Sequence, residues 1–472
     1  MSTQPAGFDV IMERERGLRR SLSAARMSMI AIGGAIGTGL FLGSGFAISL
    51  AGPAVLLSYG IGAVIGLLLM GCLAEMTIAH PTSGSFGAYA EHYLSPLTGF
   101  LVRYAYWCGN VLAVGVELTA IVLYMHFWFP TAPGWVWIVA FAGLLVGINA
   151  RSVNVFGTVE YWFSLIKIAA IVGFILLATY LIWRAPAGSG VGFGNYVSHG
   201  GFLPHGLWGA WVAVIMAVFS YFSIEMIAVA AGEAADPARA VSLAFRSTVF
   251  RLILFYLLTL AVMLAIVPWT LAAVDESPFV KAMRVVHVPG GASILNFVIL
   301  VAALSAMNSQ LYITTRMMFS LSRAGYAPRR LGVLDERGVP LAALLLSSLG
   351  VAVAALLDLL APQRAYVFMV SISAFGTLFA WLIIFVTHLV FRRRRGDSPG
   401  SFRMPGYPLT TLLGAALMVA VLATTAATPA FRPTLLFGLP LLLGLSAAYW
   451  IWYRRATRFP SSRQQVTASL DG

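Results

Sequence analysis

Twelve apolar stretches, most of them long enough to cross a lipid bilayer, occupy the greater part of this chain and dictate what it can become. They run near 25–49, 53–79, 97–128, 135–150, 158–183, 208–231, 246–269, 291–323, 340–360, 365–391, 408–427 and 433–454. Crossing ~30 Å of hydrocarbon takes roughly 20 apolar residues. Lipid offers no partner to a free backbone N–H or C=O, so segments of this kind have to be helices that satisfy themselves. With 60% hydrophobic and only 10% charged residues, an ordinary soluble domain is excluded. The expectation is an all-α integral membrane protein with twelve transmembrane helices. They form one domain over 25–458, between a flexible cytoplasmic tail at 1–24 and another at 459–472. The polar, Arg-rich N-terminus and the length of the first span do not fit a cleavable signal sequence.

A net charge of +13 invites a nucleic-acid partner, but the distribution of the charge argues for topology. With an even number of spans, both termini share a side, and 24 of the 30 cations fall on it, Arg392-Arg393-Arg394-Arg395 among them. Arg184, Lys281, Arg284, Arg364 and Arg432 fall on the other, and Lys167 lies inside a span. That asymmetry is the positive-inside pattern, which puts both termini in the cytoplasm. No nucleic-acid partner is expected. Cys72 and Cys108 read as small core residues, and the seven histidines show no metal-ligand spacing.

The first span contains Ile32-Gly33-Gly34-Ala35-Ile36-Gly37-Thr38-Gly39-Leu40-Phe41-Leu42-Gly43-Ser44-Gly45, six glycines in fourteen residues. Glycine weakens a helix by roughly 1 kcal/mol relative to alanine. Either the helix opens there, where protein or a water-filled cavity surrounds it, or pairs such as Gly33-Gly37 and Gly39-Gly43 pack helices closely. Span six carries a second interruption, Phe219-Ser220-Tyr221-Phe222-Ser223-Ile224-Glu225. The two breaks resemble each other too weakly to establish an internal repeat alone. Glu233-Ala234-Ala235-Asp236-Pro237 is read as the end of span six, with Pro237 stopping the helix and the acids facing arginines. Glu75, near the cytoplasmic end of span two, is expected to pair with a basic group.

Three ionisable residues lie at membrane depth: Glu117, Lys167 and Glu225. Each costs at least ~2.5–3.5 kcal/mol at mid-bilayer, so each is a functional candidate or half of a buried pair. Lys167 is the most informative, because the chain has 28 arginines and two lysines. Arginine keeps its proton in proteins, whereas a buried lysine can release one. A lysine against span one would stand where a sodium ion could otherwise bind.

These residues are similar to the amino-acid transporter family of the amino acid–polyamine–organocation superfamily, from about Arg26 to Arg455. The matching segments are Ile32 to Gly43, Ser49-Leu50-Ala51-Gly52-Pro53, Glu117-Leu118-Thr119-Ala120 and Glu160-Tyr161-Trp162-Phe163-Ser164-Leu165-Ile166-Lys167. Ala230-Ala231-Gly232-Glu233 with Asp236-Pro237, Ser305-Ala306-Met307-Asn308-Ser309 and Thr315-Arg316-Met317 complete the set. The resemblance implies a five-plus-five inverted repeat with broken helices 1 and 6. Helices 1–5 cover about 25–183 and helices 6–10 about 208–391, followed by two C-terminal helices over 408–454.

It also implies proton-coupled import of an amino acid across a bacterial inner membrane by alternating access, the proton being the only cofactor-like species. Exchange of one amino acid for another is the alternative. Amides near Gly37, Thr38 and Gly39 would receive the substrate carboxylate. Carbonyls near Ala35, Phe219, Ser220 and Phe222 would accept its ammonium, with Ile36 beside them. Phe219 would close over the substrate, and Asn110 and Ala113 would form the pocket wall. Lys167 would replace a bound sodium ion, with Ser305 nearby, and Glu117 and Glu225 complete the coupling candidates. Two positions depart from the family pattern. Ser223 stands where many relatives have glycine, and Gln310 where a small residue is usual, so Gln310 would select substrates only if it faces the pocket.

Other classes fit less well. The Gly-x-x-x-Asp-Arg-like motif of sugar and drug carriers is missing after span two, around Gly71-Cys72-Leu73-Ala74-Glu75-Met76. No nucleophile–base pair or metal cluster marks an enzyme. A neutral amino acid is the expected cargo, and the oligomeric state is left open.

Overall fold

The computed structural model describes residues 7–18, 22–186, 188–234, 236–271, 276–360, 362–395 and 402–458. The 459–472 tail and residues 1–6 lie outside them. Among the described residues the chain is helical, with a single isolated bridge, Leu22 to Ala234. Seven stretches among the described residues are long and apolar enough to cross a membrane: Gly39–Ala79, Pro96–His126, Val153–Arg184, Gly291–Arg323, Ala365–Arg394, Leu409–Ala427 and Pro429–Ile451. Four shorter apolar helical stretches, Gly134–Asn149, Gly206–Ser220, Ile253–Ile266 and Leu341–Leu357, lie among them. Apolar side chains crowd the outside as well as the core. Leu176, Trp183 and Leu443 are 66%, 78% and 72% exposed, as a lipid-facing surface requires.

The N-terminal segment differs from the expected free tail. Helix α1 (Phe8–Arg14) is docked, with Phe8 and Ile11 buried and Phe8 stacked on His80. After α1 the chain buries Glu15, and Leu22 N–H donates to the Glu233 carbonyl. Polarity alone suggested a solvated tail. The correction comes from partners distant in sequence, which supply Glu15 and Phe8 with a place to bury.

The first span is two helices. α2 (Ala24–Ala35) stops at Ile36-Gly37, and the chain resumes through a wide turn at Gly39–Gly43 into α3 (Ser44–Ala51). Gly52, at φ +61°, turns the chain into α4 (Val55–Ala79), and a Cβ there would run into Pro204. α5 (Ser85–Tyr93) occupies the expected polar connector. α6 (Pro96–His126) is started by Ser95, whose hydroxyl accepts from Thr98 N–H, with Pro96 at the first helical position. α7 (Gly134–Asn149) and α8 (Val153–Arg184) follow, the latter capped by Ser152.

The second broken helix comprises α9 (Gly206–Val212), α10 (Val214–Ser220), a turn at 221–225 and α11 (Met226–Ala230). Pro237 does not stop this helix; it opens α12 (Pro237–Ile266), with Asp236 capping Arg239 N–H. Proline suits a first helical turn because the missing N–H has no partner there. The remaining helices are α13 (Pro278–Val285), α14 (Gly291–Arg323), α15 (Leu341–Ser347), α16 (Leu349–Leu360), α17 (Pro362–Arg395), α18 (Leu409–Ala427) and α19 (Arg432–Arg458). α6 lies at the centre, packed along α14 and α17, while α2 packs on α8, α12 and α14.

Candidate functional site

The two breaks lie back to back. A Cβ on Gly39 would come within 2.7 Å of Ser220 Cα, so only glycine lets these backbones approach. Opening a helix frees carbonyls that lipid cannot satisfy. Side chains from surrounding helices take them. Tyr256 of α12 shares its hydroxyl between the Ala35 carbonyl (2.6 Å) and the Ser220 carbonyl (2.9 Å), tying the breaks together. Tyr366 of α17 donates to Thr38 O (3.3 Å), and Ser277 donates to Phe41 O (2.7 Å). The Tyr59 hydroxyl of α4 is 2.9 Å from Ser220 Oγ.

Lys167 is wholly buried and spends its three N–H donors on Gly33 O (2.5 Å), Ile36 O (3.0 Å) and Ser305 Oγ (2.7 Å). The ammonium therefore lies against the end of α2, with α14 behind it. Ser305 in turn donates to Glu160 Oε1, and Asn308 Nδ2 donates to Glu160 Oε2 at 2.9 Å. Asn149 of α7 donates to Asn308 Oδ1 at 2.8 Å. Glu160 is absent from the sequence-derived candidates. The signal was available, because seven residues on a helix return to the same face, and Glu160 precedes Lys167 by seven.

Between the breaks lies a small cavity of ≈ 20 Å³. Ala35, Gly37, Gly39, Asn110, Ala113, Phe219, Ser220, Phe222, Glu117 and Gln310 line it, as do Gly34, Ser223 and Ala306, which the sequence reading omits from its candidates. Gln310 thus faces the cavity. Its Nε2 is 3.5 Å from Glu117 Oε1, while its own Oε1 and Glu117 Oε2 have no hydrogen-bond partner. Phe219 and Phe222 meet edge to face, centroids 5.4 Å apart.

Other candidates are placed elsewhere or are already engaged. Ile36 and Thr38 are buried outside the cavity wall, and Gly37 N–H donates to Ala35 O. Glu225 lies behind the second break, accepting from Tyr106 OH (2.6 Å) and Trp381 Nε1 (3.1 Å), away from Lys167.

Ion pairs close the end of the bundle where the arginines cluster. Glu233 takes Arg316 in a bidentate pair (2.8 and 3.2 Å) and also accepts from Tyr312 OH. Glu75 pairs with Arg392 at 2.8 Å. Glu15 accepts from Thr82, Gly84 N–H and Ser320, and faces the wholly buried Arg103 at 3.7 Å. Arg103 and Arg14 both bind Glu91, at 2.7 and 2.6 Å. Burial disfavours the charged form of Glu91, but the two guanidinium groups outweigh it and hold its carboxyl below the usual range. At the other end of α6 and α14, a hollow of ≈ 320 Å³ is lined by Leu42, Tyr124, His126, Glu276 and Arg284 among others.

A family model described as amino acid permease matches residues 26–461. The uncharacterized amino acid permease YtnA of Bacillus subtilis is 36% identical over 93% of this chain and 96% of its own length. The amino-acid permease RocC of the same organism is 39% identical over 95% and 98%. The aromatic amino acid transport protein AroP of Escherichia coli K12 is 37% identical over 87% and 91%.

Proposed function

The chain belongs to the amino acid permease family, a family of transporters and not enzymes, and we propose that it imports a neutral amino acid together with protons. In this reading it is a bacterial inner-membrane protein of twelve helices, two inverted sets of five plus two, with both termini in the cytoplasm. It works by alternating access.

The observation that carries the proposal is Lys167, whose three N–H groups join Gly33 O, Ile36 O and Ser305 Oγ. A protonated lysine holds the end of α2 beside the cavity; a neutral one has fewer donors and no charge with which to hold it. Protonation from outside would steady the substrate-binding form, and release toward the cytoplasm would free the substrate. The cavity between the breaks is the proposed binding place. Its Phe219 and Phe222 rings suit an apolar or aromatic side chain, and AroP, named for aromatic amino acid transport, supports a neutral cargo.

The energetics suffice. One proton entering down 100 mV supplies about 2.3 kcal/mol, and at ~1.4 kcal/mol per tenfold this sustains roughly 50-fold accumulation. The test is uptake of a radiolabelled amino acid panel into proteoliposomes under an imposed proton or sodium gradient. Proton-driven accumulation supports the proposal. Sodium-driven uptake would remove Lys167 as the sodium substitute, and exchange without accumulation would make the protein an antiporter.

A further inference from the structure

We infer that Glu160 is the first acceptor of the proton that Lys167 releases, and that the Ser305 hydroxyl passes it across. This rests on the proton-symport reading and adds the route by which the proton leaves.

Ser305 is the only described side chain bonded to both charged groups: Lys167 Nζ donates to its oxygen, and its hydroxyl donates to Glu160 Oε1. The transfer is balanced. An ammonium proton moves to Ser305 Oγ as the Ser305 hydroxyl proton moves to Glu160, leaving a neutral amine, an intact hydroxyl and a carboxylic acid. A cation and an anion become two neutral groups, so the step leaves no isolated charge in a dry interior, the condition that makes buried ions costly.

Direction follows from the helix. Seven residues of α8 span about 10 Å, and Glu160 lies nearer than Lys167 to the Val153 end, beside Arg151. That is the arginine-rich end, where the proton has to leave. Contact with α2 is equally close. A Cβ on Gly33 would collide with the Glu160 carboxylate and with Ser164. Glu160 therefore presses on the same half-helix that Lys167 holds, and its charge bears on how α2 is seated.

The surrounding groups leave Glu160 as the route. From α6 comes Glu117, the other acidic neighbour of Lys167, but it meets Thr38 and Gln310, and among the described residues no hydroxyl bonds both it and the lysine. From α14 come Ser305, Asn308 and Ser309, and from α7 Asn149. Further along, Tyr312 stacks on Phe156 of α8 and is committed to Glu233, which also holds Arg316.

The test uses the full chain in proteoliposomes holding a trapped pH-sensitive dye, with a radiolabelled mixture of the standard amino acids outside and an imposed proton gradient. Glu160→Gln is expected to lower proton entry per labelled amino acid by roughly tenfold or more, as loss of a positioned acid or base does. Glu160→Asp keeps an acid within reach and restores most of that ratio. If Glu160→Gln gives no inserted protein, the Ser305 pair decides: Ser305→Ala lowers the ratio and Ser305→Thr restores it. A Gln or Ala variant that carries protons at the wild-type ratio overturns the relay while leaving proton symport standing. Wild-type protein that accumulates amino acid without proton entry overturns the symport reading itself.

Discussion

The ammonium nitrogen of Lys167 lies 3.0 Å from the carbonyl oxygen of Ile36, so one cation from α8 closes the gap where α2 ends. Removing it leaves the Gly33 and Ile36 carbonyls short of a donor and Glu160 buried without a compensating charge. Taking away one partner of a buried ionic group costs ~3–5 kcal/mol. Lys167→Ala is therefore expected to lower thermal stability by that amount and to abolish proton-driven accumulation. Lys167→Arg keeps the charge but cannot release it, so the folded variant is expected to lose accumulation as well. Proteoliposome uptake across a pH series measures both. Accumulation by Lys167→Arg with unchanged pH dependence would contradict the role given to the lysine.

Ser223 adopts φ +73°, a conformation that L-residues other than glycine rarely take, in the turn between α10 and α11. A serine stands here, yet the break has a glycine-like backbone. Left-handed backbone costs a residue with a Cβ roughly 1–2 kcal/mol, and a β-branched residue suffers more. Ser223→Gly is expected to be tolerated, because relief of strain offsets the entropy that glycine adds to the unfolded chain, about 0.5–1 kcal/mol. Ser223→Val is expected to lose about 1–3 kcal/mol. Thermal scans in detergent separate the two, and equal melting temperatures would show that this turn does not need its present backbone.

How far the sequence carried depended on range. Membrane depth and the glycine-rich break were legible because they are local: hydropathy over twenty-odd residues, and six glycines in fourteen. The rarity of lysine singled out Lys167 before any contact was visible. What stayed hidden needed partners far along the chain. Tyr59, Tyr256 and Tyr366 went unnoticed in the sequence, because nothing local says that a hydroxyl meets a freed carbonyl. Glu15 reads as tail charge until Arg103, Thr82 and Ser320 surround it. Pro237, expected to stop a helix, starts one instead, since proline fits after one helix and equally at the start of the next.

Gln310 Oε1 and Glu117 Oε2 both lack hydrogen-bond partners beside the cavity. A polar atom without a partner penalises cargo that leaves it so and favours cargo that supplies a donor or admits water. Gln310→Ala enlarges the cavity by most of a side chain and removes one of these acceptors. Expected is a change of about 10- to 100-fold in the relative uptake of large and small neutral amino acids, in line with pocket changes worth ~1–3 kcal/mol. The proton-to-substrate ratio is expected to hold, because Lys167, Ser305 and Glu160 are untouched. Competition against one labelled amino acid reads the ranking, and an unaltered ranking would remove Gln310 from specificity.

Glu91, clamped between Arg14 and Arg103, gives the arginine-rich end a measurable pH signature. Its carboxyl is held below the ordinary value of 4.5, burial being outweighed by the two guanidinium groups. A carboxyl of this kind binds fewer protons folded than unfolded. Its stabilisation is therefore complete above about pH 4.5 and is lost as pH falls through the depressed folded value. Glu91→Gln is expected to melt at a lower temperature than wild type near neutrality, since Arg103, wholly buried, would keep only Glu15 as a counter-charge. Below pH 4.5 the gap is expected to narrow, because acid removes from the wild type what the substitution has already removed. Melting curves of both proteins between neutral and acid pH make the comparison. A gap that stays constant would mean that the clamp holds Glu91 by packing and hydrogen bonds alone, and that its charge contributes nothing to docking the N-terminal segment.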